Sequence, residues 1–309
     1  MAEELDLKRP WLVAVWPGMG NVALAAGYYL MAKLGMGLFG EWSSRELFDV
    51  EQVEVKDGII QPGRLPRSRL FVSHSDHAAH DIVLFIGEAQ PPIGKYTFCQ
   101  QLIEFTKKFN VERVVTFAAM ATQMQPTDES RVFAAASNGL ILNELGPYEL
   151  TVLKEGHIGG LNGVLLGAAI DAGLPGICLL GEMPHILAQL PYPKASLAVL
   201  DKFATIAGIK LDLSELHDEA AAFNKHLERL MAQLEEQMRG AAQAEEEPTF
   251  PEPISEGALP DEDERHVEQL FEQAQIDRSK AYELKRELDR LGVFKEYENR
   301  FLDLFRKPE

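Results

Sequence analysis

Short apolar runs alternate along this chain with longer amphipathic stretches, and that alternation restricts its fold more than any other feature. The runs suit strands buried on both faces of a sheet, and the stretches between them carry one apolar face, as helices packed on such a sheet do. The expectation is an α/β fold. Strands are expected at residues 12–16, 48–55, 70–73, 82–87, 113–118, 132–136, 149–153 and 176–180. Helices are expected at 21–34, 96–109, 139–145, 161–172, 194–207 and 214–238.

A chain of 309 residues exceeds the usual domain of roughly 100 to 200, so an appendage is expected beside one large domain. The sequence divides at an α/β domain over 1–240, an acidic proline-rich linker over 241–264 and a helical tail over 265–309. Between Glu245 and Glu264 there are four prolines and no basic residue, a composition that buries too little to fold and that charge repulsion keeps extended, as a tether. In the tail, Val267, Phe271, Ala274, Ala281, Leu284, Leu288 and Leu291 form a seam interrupted at Arg278, and a shorter amphipathic segment runs over 297–305. Two helices joined at Gly292 explain it.

The helix that opens at Ser214 places Leu216, Ala220, Phe223, Leu227, Leu230 and Leu234 at steps of four and three. Ser214 is the expected N-cap, and Glu215 and Asp218 suit the positive end of the helix dipole. Leu216, Phe223, Leu227, Leu230 and Leu234 either pack on their own domain or meet another subunit; so short a seam does not decide between the two.

Charge and cysteine content limit the partners. With 48 acidic against 30 basic side chains the net charge is -18, which repels nucleic acid and anionic lipid surfaces. Only Cys99 and Cys178 occur, both in apolar segments, as reduced cysteines do. The acidic opening is unlike an export signal, and no stretch reaches the roughly 18 apolar residues that span a bilayer. A cytoplasmic location is expected, with no nucleic acid and no membrane among the partners.

Three constellations are candidates for chemistry. Trp16-Pro17-Gly18-Met19-Gly20-Asn21 runs from a strand into a helix and, with Ala23, matches G-x-G-x-x-A, with Glu41 about twenty residues on where a ribose-binding acid would stand. His74, Asp76, His77, His80 and Asp81 crowd one connection, a divalent-metal set in one reading and a polar turn in the other. Glu88, Glu182 and His185 lie at expected strand ends, where α/β sheets place ligands, and His157 and Asn162 lie in a nearby glycine-rich segment. If they converge, two carboxylates and a histidine suffice for acid–base work. Gly18, Gly20, Asn21, Glu88, His157, Asn162, Glu182 and His185 are therefore the candidate pocket. Neither a G-x-S-x-G elbow nor a phosphate-binding G-x-x-x-x-G-K-[ST] loop occurs, and no complete catalytic signature is present. No catalytic residue and no cofactor is assigned from the sequence.

The same segments carry a resemblance. Trp16-Pro17-Gly18-Met19-Gly20-Asn21-Val22-Ala23, Gly87-Glu88-Ala89-Gln90-Pro91, Gly159-Gly160-Leu161-Asn162-Gly163, the stretch from Gly176 to His185 with Glu182 and Pro184, and Pro191-Tyr192-Pro193-Lys194-Ala195 occur in the order found in the proteasome assembly chaperone 2 family. The chain is identified as a bacterial-looking member over residues 11–209. The resemblance implies a three-layer α/β/α sandwich, similar to nucleoside phosphorylase and peptidyl hydrolase folds, here with a C-terminal helical extension. It also implies self-association and binding of other protein chains, as an assembly chaperone or scaffold without catalysis. The alternative is an enzyme or small-molecule sensor with its pocket at the sheet's carboxyl edge. Relatives that dock on proteasome rings end in a hydrophobic-Tyr-X tail; this sequence closes on Leu304-Phe305-Arg306-Lys307-Pro308-Glu309, so docking by that route is not expected.

Overall fold

The computed structural model describes residues 7–42, 44–50, 53–56, 58–74, 79–241 and 260–306. Most of the expected linker, 242–259, lies outside these residues, as does His77. In chain order the elements are β1 (Trp11–Val15), α1 (Val22–Lys33), β2 (Gly37–Trp42), β3 (Glu54–Lys56), β4 (Ile59–Gln61), β5 (Ser68–Ser73), β6 (Ile82–Gly87) and α2 (Lys95–Thr106). There follow β7 (Arg113–Thr122), β8 (Val132–Ala136), α3 (Gly139–Glu144), β9 (Thr151–Val152), α4 (Gly160–Asp171), β10 (Gly176–Pro184), α5 (Pro193–Ala207) and α6 (Ser214–Ala241). The tail holds α7 (Asp261–Ile276), α8 (Ala281–Arg290) and α9 (Phe294–Asp303).

Eight strands form one sheet in the order β2-β5-β6-β1-β7-β10-β8-β9, and β3 and β4 pair as a separate hairpin. The central strands β6, β1, β7 and β10 are parallel, whereas β5 and β8 run antiparallel to β6 and β10. Because successive strand residues face opposite ways, Trp11, Val13 and Val15 enter one apolar cluster with Tyr28 and Phe203, while Leu12, Ala14 and Trp16 enter another with Phe98 and Leu161. Helices α1 and α5 cover the first face and α2 and α4 the second. This is the three-layer α/β arrangement expected.

The strand expected at 48–55 is corrected. A 3₁₀ turn, Arg45–Leu47, occupies the approach to it, and among the described residues only Glu54–Lys56 forms a strand there, paired with β4 in the outlying hairpin. A strand was missed at β2, where Gly37 and Gly40 depress strand propensity. Tertiary pairing supplies what propensity lacks. β5 binds one edge of β2, and on the other the Leu38 amide donates to the Phe305 carbonyl of the tail at 2.6 Å.

That contact is one of many made by the tail. Val267, Phe271, Ala274, Leu284, Leu288, Phe301 and Phe305 are buried in the cluster that contains α1. The seam read from the sequence faces the chain's own α/β layer. Its interruption near Arg278 is a helix break, where Asp277 accepts from the Ser279 amide, and Gly292, at φ +73°, separates α8 from α9. Among the described residues the tail therefore has three α-helices, not two. Leu216 and Ala220 of α6 are also buried, and Phe223 and Leu227 pack against the same cluster, while Leu230 is exposed. The side chain of Leu234 lies outside the described ones. Among the described residues no helix is long and apolar enough to cross a membrane.

Candidate functional site

The four parallel strands end along one edge, where the glycine turn after β1, Glu88 after β6 and Glu182 near the end of β10 are placed. At the end of β1 the chain turns into α1 through Gly20, at φ +60°, and Asn21, also left-handed. A Cβ on Gly20 would lie 2.7 Å from the Met183 sulfur, so the position excludes side chains on both grounds. The turn is closed by the protein itself. Gly20 donates to the Ala188 carbonyl at 3.0 Å and accepts from the Tyr192 amide at 2.9 Å. Gly18 is exposed, with nothing near its Cα that a Cβ would meet.

Gln90 joins this turn to the start of α4. Its Nε2 donates to the Pro17 carbonyl at 3.0 Å and its Oε1 accepts from the Leu161 amide at 3.0 Å. Asn162, one residue on, is buried; its backbone carbonyl accepts from Thr116 Oγ1, while its side-chain Oδ1 has no partner among the described residues. Gln90 was not singled out from the sequence, although the motif that contains it, Gly87-Glu88-Ala89-Gln90-Pro91, was.

The remaining candidates divide into separate groups. Glu88, after β6, is buried and accepts from Arg64 at 2.7 Å, from the Arg67 amide at 3.0 Å and from Arg69 at 3.0 Å. Burial pushes its carboxyl up, but these donors outweigh that and hold it below the usual carboxylate value. Glu182, near the end of β10, is buried under Arg131, which binds it through two nitrogens at 2.7 Å, and Thr122 donates to it at 2.8 Å. The Arg131 bond is the main cause that lowers its carboxyl. His185 Nδ1 lies 3.3 Å from the Thr122 carbonyl, so His185 and Glu182 share Thr122 as a neighbour. His157 is exposed on the loop before α4.

Glu88 and Glu182 are therefore not brought together. Two strands, β1 and β7, separate β6 from β10, a span of about 14 Å at ordinary strand spacing. The cavity that contains Glu182, of about 460 Å³, is lined by Thr122, Gln123, Met124, Asp128, Glu129 and Arg131, without Glu88, His157 or His185. Acid–base chemistry shared between the two carboxylates has no geometry here. Neither thiol offers a nucleophile: burial pushes Cys99 and Cys178 up to about 12.

The dinucleotide pattern fails for a topological reason. Glu41 lies on β2, and β5 and β6 stand between that strand and β1, whereas the ribose-binding acid belongs beside the glycine turn. Of the metal reading, Asp76 and His77 lie outside the described residues. His74 Nδ1 is 3.7 Å from Asp81 Oδ2, Asp81 accepts from the Lys8 amide, and His80 stacks on Trp11 with its Nδ1 3.0 Å from the Arg9 carbonyl. Among the described residues no three His, Cys, Asp or Glu side chains form a metal-holding group.

Comparison with known proteins adds a family to this geometry. The uncharacterized protein MJ1210 of Methanocaldococcus jannaschii is 28% identical over 243 residues, covering 77% of this chain and 89% of that protein. Among solved structures, Pyrococcus furiosus PbaB, described as an archaeal proteasome activator, superposes with a TM-score of 0.63 at 24% identity, covering 74% of this chain and 96% of that one. Rv2125 of Mycobacterium tuberculosis, described as a proteasome-assembly chaperone homologue, superposes with a TM-score of 0.62 at 23% identity, covering 71% and 94%. The sequence profile of the PAC2 family matches residues 12–231, which takes in the glycine turn, Gln90, α4 and Glu182, and the chain belongs to that family.

Proposed function

We propose that this chain is a non-catalytic, self-associating protein that binds other protein chains, as an assembly chaperone or scaffold. The observation that carries this reading is the β3–β4 hairpin. Val55, Ile59 and Ile60 are 62%, 64% and 69% exposed on its ladder, which stands apart from the main sheet, and Val53, just before β3, is 53% exposed. A two-stranded ladder is marginal alone, and apolar side chains concentrated on one favour burial against a partner. Exposed Leu230 and Met231 on the distal part of α6 extend the apolar surface available for association. Family membership supports the role, as do neighbours described as a proteasome activator and an assembly chaperone homologue.

Affinity capture from the native host with mass spectrometry tests the reading, using the full chain as bait. A stoichiometric protein partner, or a defined homo-oligomer by light scattering, is the expected result. Recovery of a monomer alone at cellular concentration would overturn it.

A further inference from the structure

A second cavity, of about 390 Å³, opens beside β2, and its wall differs in charge from the rest of the molecule. It is lined by Glu41, Trp42, Ser44, Arg45, Phe48, Arg64, Leu65, Pro66, Arg67 and Ser68. Among the described residues three guanidiniums thus line it with a single carboxylate, in a chain whose net charge is -18. That carboxylate is already matched: Arg67, Arg69 and Arg306 lie 3.5, 3.4 and 3.9 Å from Glu41 Oε1. Behind the wall Glu88 is matched in turn by Arg64 and Arg69. Glu46, next to Arg45, is occupied by Gln101, whose Nε2 donates to it at 3.3 Å.

Donors remain after these pairings. Arg64 spends one nitrogen on Glu88, and a guanidinium carries five N–H groups. Arg45 is exposed, and its guanidinium makes no hydrogen bond or ion pair with a described residue. Arg69, 1% exposed, has its Nε without a hydrogen bond among the described residues, although Glu41 stands 3.4 Å away. Trp42 and Phe48 add aromatic side chains to the same lining.

We infer that this cavity is a binding site for a small organic oxyanion, a phosphate or carboxylate carried on a flat apolar body. Arg45, Arg64 and Arg67 hold the anionic group and Trp42 and Phe48 contact the body. Guanidiniums bind both oxyanions through paired N–H groups, and the cavity volume lies at the lower end of small-molecule sites. The inference stands apart from the proposed protein-binding role, since a protein of either kind can carry such a site.

Calorimetric titration of the full-length protein with phenyl phosphate and benzoate tests it, with inorganic phosphate and phenol as partial probes. Saturable one-to-one binding of at least one aromatic oxyanion is expected, weaker for inorganic phosphate and absent for phenol; the stronger of phosphate and carboxylate identifies the anionic group. Tryptophan fluorescence should change in step, because Trp42 lines the cavity. Arg45→Ala, at an exposed position without a partner among the described residues, should weaken binding about tenfold or more. Arg9→Ala removes the same charge beside Glu112, ahead of the central strands β1 and β7, and should leave the affinity unchanged. No saturable binding at millimolar concentration, or equal losses in the two variants, would overturn the inference.

Discussion

The Tyr28 hydroxyl donates to Glu298 Oε1 at 2.5 Å, joining residues 270 positions apart. Tyr28 belongs to α1, which packs on the sheet, and Glu298 to α9, so one hydrogen bond fastens the tail to the α/β layer. Burial first, and the neighbouring Glu298 carboxylate second, hold the tyrosine well above its ordinary value, so it remains the donor at any physiological pH. Glu298 is buried and, among the described residues, keeps Lys295, at 2.8 Å, as its other partner. Tyr28→Phe should therefore cost about 1–3 kcal/mol, the penalty for a buried group losing a partner. Urea unfolding measures it; an unchanged midpoint would show that the bond does not hold the tail.

Packing makes the larger contribution to the same attachment. Phe301 is fully buried, edge-on to Tyr28 at 6.0 Å and close to Phe294 and Phe305 at 5.5 and 5.7 Å. Phe301→Ala should destabilise by about 3–5 kcal/mol, because a cavity is left between the tail and α1. Limited proteolysis provides the local readout. Cleavage within 260–306 should accelerate in the variant before the sheet is attacked, and equal protection would show that the tail is held elsewhere.

How far the sequence foretells these features depends on whether the signal is local. Periodicity placed the buried strands β1, β6 and β10 because each carries a continuous apolar run, and the glycine motifs placed the turn at Gly20 because only glycine tolerates both its φ and the nearby Met183. Edge strand β2 escaped notice, since its stability comes from β5 and from the Phe305 carbonyl rather than from its own residues. Tail docking was equally hidden: an apolar seam states that it will be buried, not against what. Convergence was the hardest to read. Glu88 and Glu182 both end parallel strands, but nothing local indicates that β1 and β7 lie between those strands or that arginines meet each carboxylate.

Glu182 gives the structure a defined acid dependence. Arg131 and Thr122 bond to its ionised form and lower its value in the folded state, against about 4.3 for a glutamate in an unfolded chain. A depressed folded-state value contributes stability that is fully present above the unfolded value and is lost as pH falls through the folded one. Glu182→Gln should therefore be less stable than the parent at neutral pH. The difference should shrink as pH drops below about 4.3. Thermal unfolding of both proteins across that range measures it, and a difference that stays constant with pH would remove the ion pair as its source.

Association through the β3–β4 hairpin makes the sharpest prediction for the proposed role. Val55 pairs with Ile60 across the ladder, so the two side chains share one face, while Ile59 pairs with Lys56 and faces the other way. If a second copy covers the Val55 face, Ile60→Lys replaces buried apolar surface worth about 1.5–3 kcal/mol with a charge. That loss alone raises the dissociation constant roughly tenfold to a hundredfold. Ile59→Lys should have a smaller effect, because its side chain leaves the opposite face. Both residues are exposed in the single chain, so the thermal midpoint of the dissociated protein should not move. Light scattering on size-exclusion fractions over a dilution series separates the outcomes. A mass that falls first for Ile60→Lys places association on the Val55 face, whereas equal masses for the parent and both variants would show that the hairpin does not join copies of this chain.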